Sequence, residues 1–126
     1  MPYAGGDGID ITLPAAANFS SYQYRFMTVD SNGRGTIATA YTAKPIGILQ
    51  NKPDAADKPA NIRVAGIAKL EFGAAADEGA LLAANGEGYG TTTTLDTAHY
   101  GAIALHAAGG SGDIQDVLVK FGMVAG

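Results

Sequence analysis

Two histidines, His99 and His106, are the side chains of this chain best suited to proton transfer or metal binding. They stand seven residues apart, outside any HExxH motif, and no cysteine accompanies them, so their spacing matches no zinc site. Asp96 and Asp113 are the nearest carboxylates along the chain. A catalytic role would require two of these four side chains to meet in a deep pocket.

The glycine-rich stretches match catalytic and nucleotide-binding motifs only in part. "GGSGD" has Asp113 where the G-x-S-x-G motif of hydrolases needs glycine, and "NGEGYG" has neither the GxGxxG spacing nor the lysine of a P-loop. "DSNG" and "GGDGID" hold only fragments of a calcium loop. Most of the 12 acidic residues lie in loop clusters, where they are solvated. We therefore predict a protein that is not an enzyme and that binds no cofactor and no metal.

The composition indicates a globular protein with a thin core. Of the 126 residues, 47% are hydrophobic and 16% are charged, but alanine and glycine supply much of the apolar fraction and only 8% are aromatic. A core so short of large apolar side chains predicts a homotrimer, or a protein that needs its partner for full order. The net charge of −4, without any run of lysine or arginine, argues against nucleic acid as a partner.

The sequence contains neither a membrane span nor an ordinary secretion signal. No stretch of about 18 apolar residues is present, and the first residues lack the basic start and apolar run of a signal peptide. We therefore expect no membrane association and no secretion by such a signal. The absence of cysteine suits a reducing compartment but leaves the compartment open.

The hydrophobic pattern predicts β-strands throughout. The most regular segment, "IRVAGIAKLEF" at residues 62–72, is apolar at every second position, with Arg63, Lys69 and Glu71 between, as expected of a strand with one dry and one wet face. The other predicted strands are "GIDITLP", "YQYRFMTVD", "TIATAY", "PIGILQ", "GALLAA", "YGTTTT", "GAIALH" and "DIQDVLVKF". The predicted fold is mainly β: a single domain at 9–126 forming a small β-barrel or β-sandwich, with a flexible glycine-rich N-terminal arm at 1–8.

A weak internal repeat is visible in the sequence. "GRGT" at Gly33 recurs as "GYGT" at Gly88, and the same offset along the chain matches the strand from Asn61 with the strand from Asp116. Between them, "IGIL" and "IAL" align only if this offset, the repeat offset, becomes two positions longer. Two interpretations stay open. Either the chain holds two similar β-units that close one barrel or sandwich, or glycine- and threonine-rich hairpins are alike by composition.

Two segments carry a resemblance to a known family: "PIGILQNKPDAADKPANIRVAGIAKLEFGAAADEGALL" and "YGAIALHAAGGSGDIQDVLVKFG". Across most of residues 9–122, the chain resembles the small capsid decoration, or head cement, proteins of tailed bacteriophages and prophages. The resemblance implies a β-rich, often trimeric domain that binds the outer face of the expanded major capsid shell and stabilises it against internal DNA pressure. The implied location is the capsid outer surface of the virion, and the host cytoplasm during assembly.

The resemblance also implies an N-terminal arm that reaches onto capsid subunits. This places the candidate capsid contacts at Tyr3, Ile9, Ile11 and Leu13. The last three alternate with polar residues, and such a strand can add to an exposed sheet edge. Alternatively, this strand completes the protein's own sheet and the arm is a disordered terminus.

A second class of function stays open, which is another phage or bacterial structural module. Examples are a head fibre base, a tail component, and an adhesion or glycan-binding domain. Glycan binding would need exposed aromatic side chains. The candidates, scattered along the chain, are Tyr3, Tyr41, Tyr89 and Tyr100.

Overall fold

Nine β-strands form the regular structure of residues 8–93 and 98–124, the part of the chain that the computed structural model describes. They are β1 (Gly8–Pro14), β2 (Phe26–Val29), β3 (Gly35–Ile37), β4 (Gly47–Leu49), β5 (Pro59–Glu71), β6 (Leu81–Ala84), β7 (Gly90–Thr92), β8 (His99–Ala104) and β9 (Ile114–Met123). Within this part of the chain no helix is long and apolar enough to cross a membrane. The all-β fold is confirmed. β1 begins at Gly8, inside the predicted arm, and residues 1–7 lie outside the described residues.

The longest strand, β5, lies within a sheet whose order is β3-β2-β4-β5-β9-β8-β6-β7, and β1 also pairs with it. Its side chains alternate as predicted, since Ile62 and Leu70 are fully buried whereas Lys69 is exposed. β1 and β4 pair with the first half of β5, and β9 pairs with the second half. Gly66, with a φ of +90°, lies where these two halves meet. One strand therefore contributes to two structural units.

The two units have the same topology. The first unit comprises β1 to β4 with the first half of β5, and the second comprises the second half of β5 with β6 to β9. Three antiparallel pairings of the first unit recur in the second unit. Each residue is displaced along the chain by the repeat offset, which is the separation between Gly33 and Gly88. The equivalent pairs are Met27–Ile37 and Leu82–Thr92, Phe26–Ile48 and Leu81–Ile103, and Leu49–Ile62 and Ala104–Val117. This register supports the first of the two interpretations left open by the sequence, in which the chain holds two similar β-units.

β1 corresponds to the second half of β5, at an offset two positions longer than the repeat offset. The equivalent pairs are Ile11–Ile62 and Ala68–Val117 in the ladders, and Ala15–Gly35 and Phe72–Gly90 at the parallel bridge that closes each curled sheet. The first unit is two residues longer between β1 and β2 than the second unit is between the equivalent strands. The backbone hydrogen bond of Phe19 is repeated by Ala76 at the longer offset, and that of Tyr24 is repeated by Gly79 at the repeat offset. The two additional residues therefore lie between Phe19 and Tyr24.

The predicted two-residue slip between "IGIL" and "IAL" is wrong. Ile103 corresponds to Ile48 and not to Ile46, because Ile48 pairs with Phe26 as Ile103 pairs with Leu81. Two isoleucines that lie two positions apart have the same strand phase, so the apolar pattern does not choose between them. Pairing with the preceding strand fixes the register.

The hairpin turns of the two units use the same hydrogen bonds with different residues. The Asp30 carboxylate accepts the backbone N–H groups of Asn32 and Arg34, both at 2.9 Å. The Asn85 side-chain oxygen accepts those of Glu87 and Tyr89, at 2.9 and 3.1 Å. The glycines that close the two turns have φ values of +76° and +83°, which glycine adopts without steric cost.

The units meet where Phe26 and Ile48, both fully buried, pack against the second unit. These side chains lie on the face of β2 and β4 that is opposite to the first unit's own core, and they join the buried cluster of Ala68 and Leu70. A glycine makes room for the ring, because a Cβ added at Gly101 would stand 2.8 Å from Phe26 Cε1. Burial of two such side chains stabilises the contact by about 3–6 kcal/mol.

Arg25 adds a polar contact between the units. Its Nε lies 3.7 Å from a Glu71 carboxylate oxygen. Its guanidinium stacks between the rings of Tyr89 and Tyr22, at 3.9 and 4.6 Å from their centroids. Nη2 also donates to the Tyr89 hydroxyl at 2.9 Å, and Nη1 donates to the Glu87 carbonyl oxygen at 3.1 Å. Arg25 therefore fixes the orientation of the first unit on the second.

The Gly101→Ala substitution tests the contact between the units. The added methyl would stand 2.8 Å from both Phe26 and Pro45, whose rings are buried, so we expect a loss of about 1–3 kcal/mol in unfolding free energy. Gly110→Ala is the control, since a Cβ there meets nothing within 4 Å, and it should change stability by less than about 0.5 kcal/mol. Equal denaturation midpoints for the two variants would contradict the described packing.

The turn at Asp30 predicts a specific pH dependence. The backbone N–H of Arg34, then that of Asn32, and the Arg34 charge together hold the pKa of Asp30 below its ordinary value. Because the pKa is lower in the folded state, this carboxylate contributes stability above its unfolded pKa, and that contribution is lost as pH falls through the folded pKa. Wild type should therefore melt above Asp30→Asn at neutral pH, and the difference should shrink in acid. A difference in Tm that stays constant with pH would refute this role.

Candidate interaction surface

β1 carries three of the predicted capsid contacts, Ile9, Ile11 and Leu13. Ile11 pairs with buried Ile62 and Leu13 with buried Ala60, whereas Ile9 pairs with Ala65 beyond a break in the register. Ile9 is nevertheless 62% exposed and Ile11 39% exposed, whereas Leu13 packs against the first unit's core. The structure thus places Ile9, Ile11 and Leu13 on one strand at the edge of the first unit. Tyr3 lies outside the described residues.

The other face of β1 is polar and held by side-chain contacts. Asp10 forms an ion pair with Arg63, which also donates to the carbonyl oxygen of Ile67. The Thr12 hydroxyl lies 3.1 Å from the Asn61 side-chain oxygen. β1 therefore completes the protein's own sheet, as one of the two interpretations predicted, and it presents exposed isoleucines at the open end of that sheet.

A second apolar surface crosses the outer face of the second unit. Leu81 pairs with Ile103, Ile103 with Leu118, and Leu118 with Ile67, so that four strands place one side chain each in a continuous row. Leu118 is 37% exposed and the other three are half-buried. A row of four such side chains at the surface is typical of a contact site.

Sequence reasoning missed this row. The segment "DIQDVLVKF" does contain a signal, because Ile114 and Leu118 are apolar on the face opposite to Val117 and Val119. An antiparallel strand with one solvated face normally carries polar residues on that face, so apolar residues on both faces of β9 set it apart. The neighbours of Leu118 depend on the register in which β9 pairs with β8 and β5, and the sequence alone does not fix that register.

An aromatic groove of about 360 Å³ lies beside the start of β8. Its apolar lining includes Pro45, Tyr100, Phe121 and Met123. Tyr41 is near, since its carbonyl oxygen accepts the His99 backbone N–H at 2.8 Å. Of the tyrosines considered for glycan binding, Tyr100 lines this groove, whereas Tyr41 lines a separate depression with Ala84 and Thr92. Tyr89 instead stacks on Arg25, and Tyr3 is outside the described residues.

The titratable residues singled out by the sequence have separate surroundings. His99 is half-buried in β8, and His106 is exposed in the loop after that strand. The Asp113 carboxylate accepts the Gly109 backbone N–H at 2.6 Å and thereby closes the "GGSGD" turn. Asp96 is outside the described residues. In residues 8–93 and 98–124, no group of three histidine or acidic side chains is placed to hold a metal ion.

Comparisons with known proteins give a structural likeness but no match in sequence. No protein-family model and no curated protein sequence matches the chain. Among solved structures, the chain is similar to the N base of the head fiber gp8.5 of bacteriophage phi29, with a TM-score of 0.68 and 16% sequence identity. The superposition covers 89% of this chain and 93% of that chain. Because the superposition spans nearly the whole of both chains, the two share the same overall fold.

Proposed function

We propose that this chain is a structural protein of a tailed-phage head that binds the outer surface of the major capsid shell and stabilises it. The observation that carries the proposal is the two-unit β-fold, which has its counterpart in the base of a phage head fiber over 93% of that base. The resemblance of the sequence to capsid decoration proteins supports the same setting independently.

The proposal assigns a structural rather than a catalytic role. Its support is the distribution of the surface groups. Exposed apolar side chains lie on strands, at Ile9 and Leu118 among others, whereas His99 is half-buried in β8, and His106 and Asp113 lie in the loop that follows this strand. Rigid strands with apolar faces suit permanent attachment to another protein.

The partner in this proposal is the major capsid protein, and the assembled form is a homotrimer on the virion. Several attachments to one shell increase the apparent affinity without any new kind of contact. The N-terminal residues, Tyr3 included, and Ile9 are assigned to the capsid contact, since Ile9 is the most exposed large apolar residue of the described strands.

The Ile9→Lys substitution tests the capsid contact. We expect it to weaken binding to expanded shells about tenfold or more, because one buried isoleucine contributes about 1.5–3 kcal/mol. The shells are those of the major capsid protein encoded nearest to this chain's gene, and binding is measured by co-sedimentation. Ile114→Lys is the matched control, since Ile114 is 44% exposed on another strand.

Deletion of residues 1–7 tests the arm in the same assay and leaves β1 intact. Cooperative melting at the wild-type temperature would establish that each variant is folded. If wild type fails to sediment with the shells, the capsid assignment is wrong. If both variants bind like wild type, capsid binding is retained and the N-terminal contact is wrong.

The base of a head fibre is the second candidate, and the fold likeness favours it directly. The two functions differ in their effect on the shell. A cement protein raises the temperature at which the shell breaks, because it binds the intact shell and not the separated subunits. A fibre base attaches to the shell but need not raise the temperature at which the shell breaks. Light scattering of shells heated with and without saturating protein distinguishes the two.

A further inference from the structure

The contact between the two units joins a docking pair on the first unit to a receiving surface on the second unit. Because the units are repeats, each unit has residues equivalent to both. Phe26 and Ile48 form the docking pair of the first unit. The receiving surface of the second unit is formed by Ala68, Leu70 and Gly101, with Gly90 beside the Phe26 ring. The second unit therefore also has a docking pair, and the first also has a receiving surface. Neither of these is used within the described part of the chain.

The unused docking pair consists of Leu81 and Ile103, which correspond to Phe26 and Ile48. Phe26 and Ile48 are fully buried, whereas Leu81 and Ile103 are half-buried at the surface. The row continues into Leu118 and Ile67. The first unit has the ion pair of Arg63 and Asp10 at these two further positions. The free surface is therefore more apolar than the one that is buried.

The unused receiving surface lies at the open end of the first unit. Ile11, Leu13 and Ile46 correspond to Ala68, Leu70 and Gly101. Leu13 and Ile46 are partly buried, and Ile11 is 39% exposed. The surface is apolar throughout, as is its counterpart in the second unit.

The side chains of the two free surfaces differ in size from those of the internal contact. Within the chain a large residue, Phe26, meets a glycine, Gly101. On the free surfaces the smaller Leu81 replaces phenylalanine and the larger Ile46 replaces glycine. The receiving surface gains more volume than the docking pair loses, so a contact between copies would need a wider spacing than the internal contact has.

We propose that Leu81 and Ile103 of one copy dock on Ile11, Leu13 and Ile46 of a second copy, and thereby repeat between chains the contact that joins the two units within a chain. The occupant of both free surfaces is thus another molecule of the same protein. Such a head-to-tail contact closes into a ring when its rotation permits. This deepens the proposed function, since the homotrimer proposed above becomes a ring of six similar units.

The contact between chains lacks the polar part of the internal one. Ala80 stands where the first unit has Arg25, and Pro14 stands where the second unit has Glu71. The Arg25–Glu71 ion pair therefore has no counterpart between copies at these described positions. The association rests on apolar burial alone, so it should be reversible on dilution and insensitive to salt.

Paired variants test the head-to-tail arrangement by sedimentation equilibrium of the full chain without capsids. Leu81→Lys blocks the docking side and Ile11→Lys blocks the receiving side. Each variant alone should be monomeric, because every contact needs one side from each copy. An equimolar mixture should form a 1:1 dimer and nothing larger, since the blocked sides complement each other only once. Ile114→Lys is the control and should associate like wild type.

The outcomes decide the proposal without reference to capsids. A wild type that stays monomeric up to its solubility limit would overturn it, as would variants that still assemble or a mixture that gives no dimer. Thermal melting of each monomeric variant establishes that it is folded, and the dimer from the mixture is a second proof of folding. Failure of the capsid proposal would appear instead as a self-associating protein that does not bind shells.

Discussion

The structure depends on the burial of Phe26 and Ile48 between the two units. Each unit is built from only about half of the chain, and a unit of roughly 60 residues is marginally stable by itself. The cores of both units contain several alanines, which contribute little apolar area. The docking pair merges the edge of the first unit with the core of the second, so the chain gains one larger core.

The shared strand explains how the two units are held at one fixed angle. β5 pairs with β1 and β4 over its first half and with β9 over its second half, and Gly66 lies at the transition. A rotation of one unit against the other would break either these ladders or the stacking of Arg25 between Tyr22 and Tyr89. The backbone registers are the same in both units although most side chains differ. Strand pairing and turn hydrogen bonds therefore define the repeat better than residue identity does.

Much of the fold could be predicted from the sequence, but much of the interaction surface could not. The alternation around Ile62 and Leu70 predicted the central strand, because a strand with one buried face has period two. The register of strand pairing could not be predicted where two registers place apolar residues on the same face of a strand, as at Ile46 and Ile48. The contact of Arg25 with Tyr89 joins residues 64 positions apart, and no local pattern specifies it. The docking surfaces became visible only after the two units had been compared.

A duplicated unit with complementary sides raises a problem of specificity. If both receiving surfaces were alike, Phe26 of one copy could insert into the first unit of another copy and so exchange partners. Ile46 opposes this exchange, because it occupies the position at which Gly101 leaves space for the Phe26 ring. Leu81 is small enough to meet Ile46, yet it would leave a void opposite Gly101, and a void of this kind costs free energy. The internal contact and the proposed contact between chains therefore differ in where the large side chains stand: Phe26 on the docking side within the chain, and Ile46 and Ile11 on the receiving side between copies.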